Sequence, residues 1–309
     1  MVTILGAGGA ISNELVKLLA ARKQPFRLVG RHPAANPAAA EIVMADLADK
    51  DQCARAVAGS SMVYLLAGLK YDRKVWAEMW PRIMANTLEA CKRTSARLIF
   101  FDNVYMYGRV TGAMTEDTPF NPCSRKGQIR ARIAATLMDE WKSGGLTAMI
   151  ARSADFYGPI AKNGMANALV FEPMSKKQKP MCLVSDSFPH SYTYTPDAAA
   201  SLIMLGETES AWNQTWHLPT APNPPTMKEL IQQAAEAMGV APKYRILSPL
   251  MIQVFGWFNP VVGELHEMLY QNSAAYIFDS SKYARAFGFG GTPYAEGIRA
   301  TAASYCDRD

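Results

Sequence analysis

The stretch that decides the fold is VTILGAGGAIS, residues 2–12. Residues 2–5 are apolar or β-branched and predict a short buried strand, while SNELVKLLAAR, from Ser12 onward, places its leucines at helical spacing. Between strand and helix, Gly6 and Gly9 allow a tight turn and a close approach of the backbone to a ligand. Such a turn holds a dinucleotide pyrophosphate at the N-terminus of the helix. We therefore expect a dinucleotide site here.

Outward from this turn, strands and helices alternate. The predicted strands are FRLVG, EIVM, MVYLLAG, ARLIFFDN and LTAMIAR, with helices between most of them. Asp49 is expected to cap the helix that follows EIVM, and FEPMSKKQKP is expected to be a loop. Alternation of this kind forms βαβ units, so the sequence predicts an α/β fold with a Rossmann-type, doubly wound parallel sheet. Residues 1–158 are the expected nucleotide-binding domain, completed by 190–220. Residues 159–189 and 221–309 are the expected smaller, mixed α/β substrate-binding region.

Composition excludes several classes of protein. The net charge of +5 comes from scattered cations, which does not favour nucleic acid as a partner. No apolar run is long enough to span a membrane, and no stretch reads as a secretory signal. The five cysteines form no CxxC pair and the four histidines no HxxxH pair, so no metal site is expected. The sequence predicts a cytoplasmic protein with a small-molecule substrate and neither a nucleic-acid nor a membrane partner.

The end of the second strand bears on the cofactor. NAD-preferring proteins carry an acidic residue there for the ribose diol, whereas this chain reads LVGRHP. Arg31 can pair with a 2′-phosphate and His32 can assist, so NADP is the predicted cofactor, with NAD as the alternative. The competing interpretation of Arg31 is an ordinary solvated arginine.

Several segments, taken in order, resemble an extended and atypical branch of the short-chain dehydrogenase/reductase superfamily, the NAD-dependent epimerase/dehydratase-like family. GAGGAIS resembles its GxxGxxG loop, MADLAD its Asp-Leu pair, VYLLAGL its HLAA segment, and DNVYMYG its SSxxVYG segment. ARSADFYGP resembles RxxNxYGP, and FDSSKYARAFGF resembles the C-terminal segment of that family. The resemblance implies that the cofactor is bound by Gly6, Gly9, Ala10, Ile11, Asp46, Leu47, Ala67 and Gly68. Within that set, Asp46 is expected to contact the adenine.

The same resemblance locates an altered active site. The family has a serine four residues before the tyrosine of VYG, and a Tyr-x-x-x-Lys pair on the next helix. The matching residues here are Asn103, Lys126 and Arg130. In the family the tyrosine exchanges a proton with the substrate oxygen, the lysine holds the nicotinamide ribose, and the serine binds the substrate oxygen.

Two interpretations of the altered dyad remain open. In the first, Lys126 is the proton donor or acceptor, Arg130 supports the ribose, and Asn103 binds the oxygen. Because a free lysine has a pKa of about 10.4, a lysine donates a proton more readily than it accepts one, which favours reduction. In the second, Lys126 and Arg130 are solvated helix charges, and the protein is a catalytically silent NADP(H)-binding redox sensor or regulator. Tyr105 or Tyr157 is either a substitute acid or a packing residue.

The remaining motifs concern the substrate and partners. His190 stands where sugar-nucleotide epimerases of this branch have a diphosphate-binding arginine, and Lys176, Lys177 and Lys179 either replace it or form a solvated face. A sugar nucleotide and a smaller carbonyl or hydroxyl compound are both consistent with these residues. The stretches PLMIQVFGWFNPVV and ELHEMLYQ predict a pocket wall, core or subunit contact, which leaves a homodimer open. His217 and His266 are expected to be structural, and Asp197 to cap the helix that follows it.

Overall fold

The computed structural model of the chain describes residues 1–159 and 161–306. The chain forms two compact units, the first comprising Met1–Met106, Arg125–Arg152 and Ala198–Trp216. The second unit comprises Tyr107–Ser124, Ser153–Asp197 and His217–Asp309. The second unit includes 107–124, 153–158, 190–197 and 217–220, which the sequence prediction grouped with the nucleotide-binding domain, and the nucleotide-binding role of that domain stays a prediction. The substrate-binding role of the second unit stays a prediction.

The strands of the described chain are short. In chain order they are β1 Val2–Leu5, β2 Phe26–Gly30, β3 Glu41–Met44, β4 Met62–Leu65, β5 Arg97–Asp102, β6 Ala113–Met114, β7 Ala148–Arg152, β8 Asp155–Tyr157, β9 Met181–Leu183, β10 Tyr192–Tyr194, β11 Thr215–His217, β12 Arg245–Leu247 and β13 Ile277–Phe278. Seven of them form one sheet in the order β11-β7-β5-β4-β1-β2-β3. Every pair from β3 to β7 in that order is parallel. The doubly wound Rossmann-type sheet is confirmed.

Helices connect these strands and complete the second unit. They are α1 Ala10–Ala21, α2 Lys50–Val57, α3 Arg73–Thr94, α4 Arg125–Lys142, α5 Glu172–Ser175, α6 Thr195–Glu207, α7 Met227–Ala237, α8 Pro249–Phe258, α9 Pro260–Leu265, α10 Ser281–Phe287 and α11 Tyr294–Cys306. Short 3-10 turns cover Tyr105–Tyr107, Glu209–Ala211 and His266–Asn272, and a π-helical turn covers Asn167–Phe171. No helix of the described chain has both the length and the apolarity needed to cross a membrane.

Capping residues account for where several helices begin. Asp49 was expected to cap α2, and its carboxylate accepts the Gln52 N–H at 2.9 Å. Asp72 caps α3, which continues through Pro81 to Thr94. The Thr226 hydroxyl and the Glu229 carboxylate form a reciprocal capping box at the start of α7. These local bonds satisfy N–H groups that the first turn of a helix leaves without partners.

The second unit has its own apolar core. Its structure also differs from the sequence predictions in two places. Its apolar cluster joins the π-helical turn, α5, α7 and α11 with residues of the β8–β10 and β9–β12 pairs. The segment FEPMSKKQKP was predicted as a loop, but Glu172–Ser175 within it is helical. Asp197 was predicted to be a cap, yet it lies inside α6 and accepts hydrogen bonds from the Thr292 N–H and hydroxyl, 95 residues away. A partner that distant leaves no local pattern.

Candidate cofactor and catalytic site

The glycine loop lies at the carboxyl end of β1, where the strand order of the sheet reverses. The N–H groups of Gly6 and Ala7 both donate to the Val29 carbonyl at 2.9 Å, which fixes the turn against β2. Gly6 has φ +120°, and a Cβ there would lie 2.5 Å from the Ala67 backbone nitrogen. Only glycine therefore lets the ends of β1 and β4 approach so closely, and two predicted cofactor residues, Gly6 and Ala67, are brought together.

The start of α1 is suited to an anion. Gly9 is its N-cap and supplies no side-chain hydrogen bond, and the first turn holds no acidic residue. Within the described chain, the buried hydroxyl of Ser12 also has no hydrogen-bond partner. Unpartnered donors and the positive end of the helix dipole together favour a phosphate. The loop fits a dinucleotide pyrophosphate, with Ala10 and Ile11 as the first residues of the helix that would face it.

The turn after β3 carries the residues expected near the adenine. Asp46 Oδ1 accepts the Ala48 N–H at 3.0 Å, and the Asp46 N–H donates to Gln52 Oε1 at 3.0 Å. Asn86 Nδ2 donates to the Leu47 carbonyl at 3.0 Å, which ties this turn to α3. The Asp46 carboxylate is half-buried with its second oxygen available to an amino group, and Leu47 is buried beside it.

Arg31 and His32 directly follow β2 and are both exposed. Over the described residues, neither side chain makes a hydrogen bond or an ion pair. The guanidinium of Arg31 is therefore available to a ligand, and its selectivity for a 2′-phosphate stays a prediction. Gly68, the last of the predicted cofactor residues, is exposed after β4, and no atom lies within 4 Å of the position of a Cβ there.

The predicted dyad residues are buried on one face of α4. Lys126 is 0% exposed and Arg130 is 4% exposed, so the interpretation of both as solvated helix charges is wrong. Lys126 Nζ lies 4.5 Å from the centroid of the Tyr71 ring, an arrangement that favours a cation. A lysine is rarely buried this completely unless it is paired or functional.

Arg130 is held by a carboxylate and by aromatic rings. Its Nε donates to Asp102 Oδ1 at 2.7 Å, and its Nη2 forms an ion pair with the same oxygen. Its guanidinium carbon lies 4.4 Å from the Trp80 ring, 5.0 Å from Phe100 and 5.7 Å from Trp76. These contacts fix the side chain and occupy two of its donor groups, so ribose binding by Arg130 stays a prediction that must rely on the remaining donors.

Asp102 is the centre of this cluster, which comprises Asp102, Lys126, Arg130 and Arg152 and is called the α4 cluster below. Asp102 pairs with Arg152 in the register of β5 and β7, and Arg152 Nε lies 3.9 Å from Asp102 Oδ2. Parallel pairing therefore brings two fully buried charges side by side at the ends of neighbouring strands. A carboxylate between two guanidinium groups offsets part of the cost of burying them.

Asn103 follows Asp102 at the end of β5. Its N–H donates to Asp102 Oδ1 at 2.8 Å, and its side-chain oxygen accepts the Tyr105 N–H at 3.1 Å. The side chain is half-buried, and within the described chain its Nδ2 group donates to no protein atom. Asn103 is thus oriented by the short turn that follows it, with an amide donor available to a ligand oxygen.

Sequence reasoning missed the aromatic partners of these cations. Trp76 and Trp80 are four residues apart on α3 and both buried, a spacing that the sequence does show. Tyr105 stacks on Trp76 at 6.3 Å with 14° between the rings, which favours its packing role. The resemblance of ARSADFYGP to RxxNxYGP marks Arg152 in the sequence, but only the pairing of β5 with β7 shows that Arg152 lies beside Asp102.

The second unit contains the other predicted residues. Tyr157 packs against Tyr192, Tyr194 and Tyr294, and burial raises the pKa of its hydroxyl well above the ordinary value, which favours packing. His190 is buried, with Nε2 at 2.9 Å from Asp155 Oδ2.

His190 also stacks on Tyr276, with ring centroids 4.2 Å apart, so its imidazole is firmly fixed in the second unit. Lys176, Lys177 and Lys179 are exposed. Their exposure agrees with a solvated face.

His217 is structural, as expected. Its Nδ1 donates to the Asp279 carbonyl at 2.8 Å, which leaves Nε2 to accept the Tyr107 hydroxyl at 2.8 Å. It is fully buried and stacks on Phe278. His266 is exposed. Within the described residues, no three histidine, cysteine or acidic side chains lie close enough to hold a metal ion.

The chain belongs to the NAD dependent epimerase/dehydratase family, whose model matches residues 2–214. No curated protein matches the chain in sequence. The family is the one that the motifs of the glycine loop and the VYG-like segment resemble, so that prediction is confirmed.

Solved structures with this fold cover nearly the whole chain. UDP-glucose 4-epimerase from Thermus thermophilus, in complex with NAD, has a TM-score of 0.82 at 19% identity and covers 100% of this chain and 99% of its own. UDP-glucuronic acid 4-epimerase from Bacillus cereus, with NAD, has a TM-score of 0.80 at 16% identity, covering 99% and 98%. UDP-glucose 4-epimerase from Thermotoga maritima, with UDP-glucose, has a TM-score of 0.83 at 16% identity, covering 99% and 98%. At these identities the likeness establishes the fold alone.

Proposed function

We propose that this protein binds a nicotinamide dinucleotide at its glycine loop and prefers NADP(H) to NAD(H). The uncapped first turn of α1 and the glycine at position 6 support the pyrophosphate end. The Asp46 turn supports the adenine end. The exposed Arg31, in a loop whose residues 31–40 include no acid, supports the 2′-phosphate. Two of the epimerases with the same fold were solved with NAD, which keeps NAD as the alternative.

We further propose that the protein is an NAD(P)(H)-dependent oxidoreductase or epimerase acting at a carbonyl or hydroxyl carbon. A bound nicotinamide would supply or accept the hydride. Lys126 holds or moves the proton at the substrate oxygen, and the Nδ2 group of Asn103 donates a hydrogen bond to that oxygen. Arg130, fixed by Asp102, lies four residues after Lys126 on the same buried face of α4 and holds its guanidinium in place there.

The substrate we propose is a sugar nucleotide or a smaller carbonyl or hydroxyl compound. The structural neighbours named above act on UDP-sugars, which supports the first class. His190 stands where sugar-nucleotide epimerases of this branch have a diphosphate-binding arginine, and it is engaged with Asp155. The missing arginine supports the second class, a smaller carbonyl or hydroxyl compound. A panel of both compound classes separates these substrates.

The observation that carries the catalytic proposal is the complete burial of Lys126. Placing a lysine there costs free energy that an apolar residue would not, so a chemical role explains its presence better than solubility does. The test compares Lys126→Met with Lys142→Met, which changes an exposed lysine on the same helix. With a turned-over substrate, we expect Lys126→Met to lower kcat by about 10²- to 10⁴-fold, the usual contribution of a general acid or base.

The control Lys142→Met should leave kcat unchanged, and both variants should keep the Kd of the parent protein for NADPH. Equal kcat values for Lys126→Met and the parent protein would remove Lys126 from the mechanism. Circular dichroism and thermal unfolding of both variants separate lost chemistry from a lost fold, because a buried lysine can also stabilise its surroundings.

One observation favours the second candidate, a catalytically silent NADP(H)-binding redox sensor or regulator. Two donor groups of Arg130 are already engaged by Asp102, and its guanidinium packs on aromatic faces, as in a structural cluster. The first measurement is therefore a fluorescence titration with NADPH and NADH, followed by the substrate panel. Tight NADPH binding with turnover supports the enzyme. Tight binding without turnover of any panel member supports the sensor.

A further inference from the structure

Helices α8 and α9 form an apolar hairpin in the second unit. Residues 246–263 include no Asp, Glu, Lys or Arg over 18 positions. Ser248 caps α8, Asn259 caps α9, and the two helices meet at glycines, since a Cβ on Gly256 would lie 2.8 Å from the Gly263 Cα. The hairpin is thus a defined local structure whose side chains can be assigned to a buried and an exposed side.

The exposed side of this hairpin is large and apolar. We call it the hairpin patch, and it comprises Leu250, Met251, Val254, Phe255, Trp257, Phe258 and Val261. Trp257 is 74% exposed and Phe258 is 83% exposed, whereas Ile252 alone on α8 is buried. An apolar patch of this size marks a surface that something else covers, and a helix apolar on nearly all sides is normally surrounded by core or lipid.

The shape of the patch favours an interface between water and lipid. Its two most exposed aromatic rings are adjacent, at the end of α8 where Asn259 turns the chain into α9. Both rings are open to solvent, and Trp and Phe are the residues that anchor proteins at the boundary of headgroups and acyl chains. With 10 residues, α8 is about 15 Å long, too short to cross a bilayer but long enough to lie on one.

Basic residues flank the start of the hairpin. Lys243 and Arg245 precede α8 and are exposed. The Arg245 N–H donates to the Pro180 carbonyl at 3.0 Å, which brings the exposed Lys179 to the same end of the β9–β12 pair. Glu264 lies within α9 and Glu267 in the turn that follows it, so both acidic residues are at the other end of the hairpin. Positive charge is thus concentrated at one end of an uncharged patch.

Other charges near this end are already engaged inside the protein. Lys176 pairs with Glu172 at 2.6 Å, and Asp186 accepts the hydroxyl of Tyr244. Lys179, Lys243 and Arg245 are exposed cations next to the β9–β12 pair, at the end of the hairpin where α8 begins. Cations of this kind are attracted to the phosphates of an anionic leaflet within about 10 Å of its surface.

We propose that the hairpin patch docks this protein on an anionic lipid surface. Trp257 and Phe258 enter the boundary between headgroups and acyl chains, and Lys179, Lys243 and Arg245 contact lipid phosphates. Three exposed cations beside an apolar face match the phosphates and acyl chains of an anionic leaflet, and a second copy of the chain is the competing occupant that the test below separates. The proposal does not depend on the cofactor or on the chemistry of the α4 cluster.

The test uses the full chain with vesicles of seven parts phosphatidylcholine to three parts phosphatidylserine, and with pure phosphatidylcholine. Of the six tryptophans, all in the described part of the chain, Trp257 is the most exposed, so a change in its surroundings reports on the patch. We expect cosedimentation with the mixed vesicles, a blue shift of Trp257 emission, and quenching by brominated acyl chains. Binding to pure phosphatidylcholine should be weaker.

Variants assign the binding to the patch. Trp257→Ser with Phe258→Ser should weaken vesicle binding about tenfold or more, since both rings lose their apolar transfer to lipid. The matched control is Phe188→Ser with Phe289→Ser, two exposed phenylalanines outside the hairpin, which should bind like the parent protein. Lys243→Gln with Arg245→Gln should weaken binding to the mixed vesicles about fivefold for each cation, whereas Arg285→Gln with Arg299→Gln should not.

Two results would overturn the proposal. One is an absence of cosedimentation together with unchanged Trp257 emission. The other is a dimer in analytical ultracentrifugation that Trp257→Ser with Phe258→Ser converts to monomer, with no vesicle binding by the parent protein, because the occupant would then be a second copy. Because all of the substituted side chains are exposed, loss of folding does not compete with these outcomes.

Discussion

The glycine loop and the α4 cluster lie at the same carboxyl edge of one sheet, yet they are built differently. The loop acts through its backbone, with tight turns, an uncapped helix start and a glycine that no side chain can replace. The α4 cluster acts through side chains, namely a lysine, two arginines and an aspartate buried among aromatic rings. Backbone geometry keeps a binding site recognisable when residues change, whereas side-chain chemistry changes with each substitution. The predicted cofactor end of the site therefore keeps its family pattern, and the predicted chemical end does not.

The largest effect is expected where side chains carry the structure. Asp102→Ala removes the carboxylate that two buried arginines share, and should lower the free energy of unfolding by about 3–5 kcal/mol, because it leaves buried charge uncompensated. Urea unfolding measures this difference. Asp139→Ala, at an exposed aspartate of α4, is the control and should change the free energy of unfolding little.

A loss as small as that of the control would mean that Asp102 does not hold the cluster together. The comparison between loop and cluster would then lose its basis, because the cations would be tolerated without their carboxylate. A double variant, Asp102→Ala with Arg130→Met, sharpens the result, since removing a cation together with the anion should restore part of the lost stability.

The next effect tests the backbone character of the loop. Gly6→Ala places a Cβ against the Ala67 backbone and should weaken NADPH binding by about tenfold or more, through a strain of about 1–3 kcal/mol at the turn. Gly8→Ala is the matched control, because Gly8 also has positive φ but a Cβ there meets nothing within 4 Å. Fluorescence titration gives both Kd values. Equal losses would show that backbone conformation alone, and not the approach of β1 to β4, sets the affinity.

A smaller and selective effect is expected at Arg31. Arg31→Ala should raise the Kd for NADPH by about 10- to 100-fold, the worth of one charged hydrogen-bonded pair, and leave the Kd for NADH nearly unchanged. Arg55→Ala, at an exposed arginine of α2, serves as the control. If both cofactors lose affinity equally, Arg31 does not read the 2′-phosphate and NAD becomes the better assignment.

Sequence reasoning recovered the parts of the molecule that rest on local or periodic signals. Six of the seven strands of the sheet, the glycine loop and the Asp49 cap follow from residues within a few positions of each other, whereas β11 was not predicted. It did not recover Arg152 beside Asp102, or the bond from Asp197 to Thr292, because strand pairing and tertiary packing bring those residues together. Burial also reversed one interpretation, since Lys126 and Arg130 read as solvated helix charges in the sequence but are buried in the structure.

The smallest expected effect concerns two aspartates, Asp197 and Asp49, whose surroundings shift the carboxyl pKa in opposite directions. Burial raises the pKa of Asp197, despite its bonds from Thr292, whereas the backbone N–H of Gln52 lowers the pKa of Asp49. A raised pKa means that the folded chain holds its proton longer than the unfolded chain. The contribution of Asp197 to stability is therefore fully present below the unfolded pKa of about 3.9 and is lost as pH rises through its folded pKa. For Asp49 the contribution is present above that value and is lost as pH falls.

Urea unfolding between about pH 3 and pH 7 tests both signs in one series, with Asp197→Asn and Asp49→Asn each compared with the parent protein. The stability of the parent relative to Asp197→Asn should fall as pH rises, while its stability relative to Asp49→Asn should rise. If the stability differences for both variants rose with pH, the raised pKa of Asp197 would be wrong, because its surroundings would then favour the charged form. Asp197 can then be compared with Asp102, which shows how the charged groups beside a buried carboxylate determine its contribution to stability. A buried carboxylate between arginines and one held by a threonine share their burial and differ in the cations beside them.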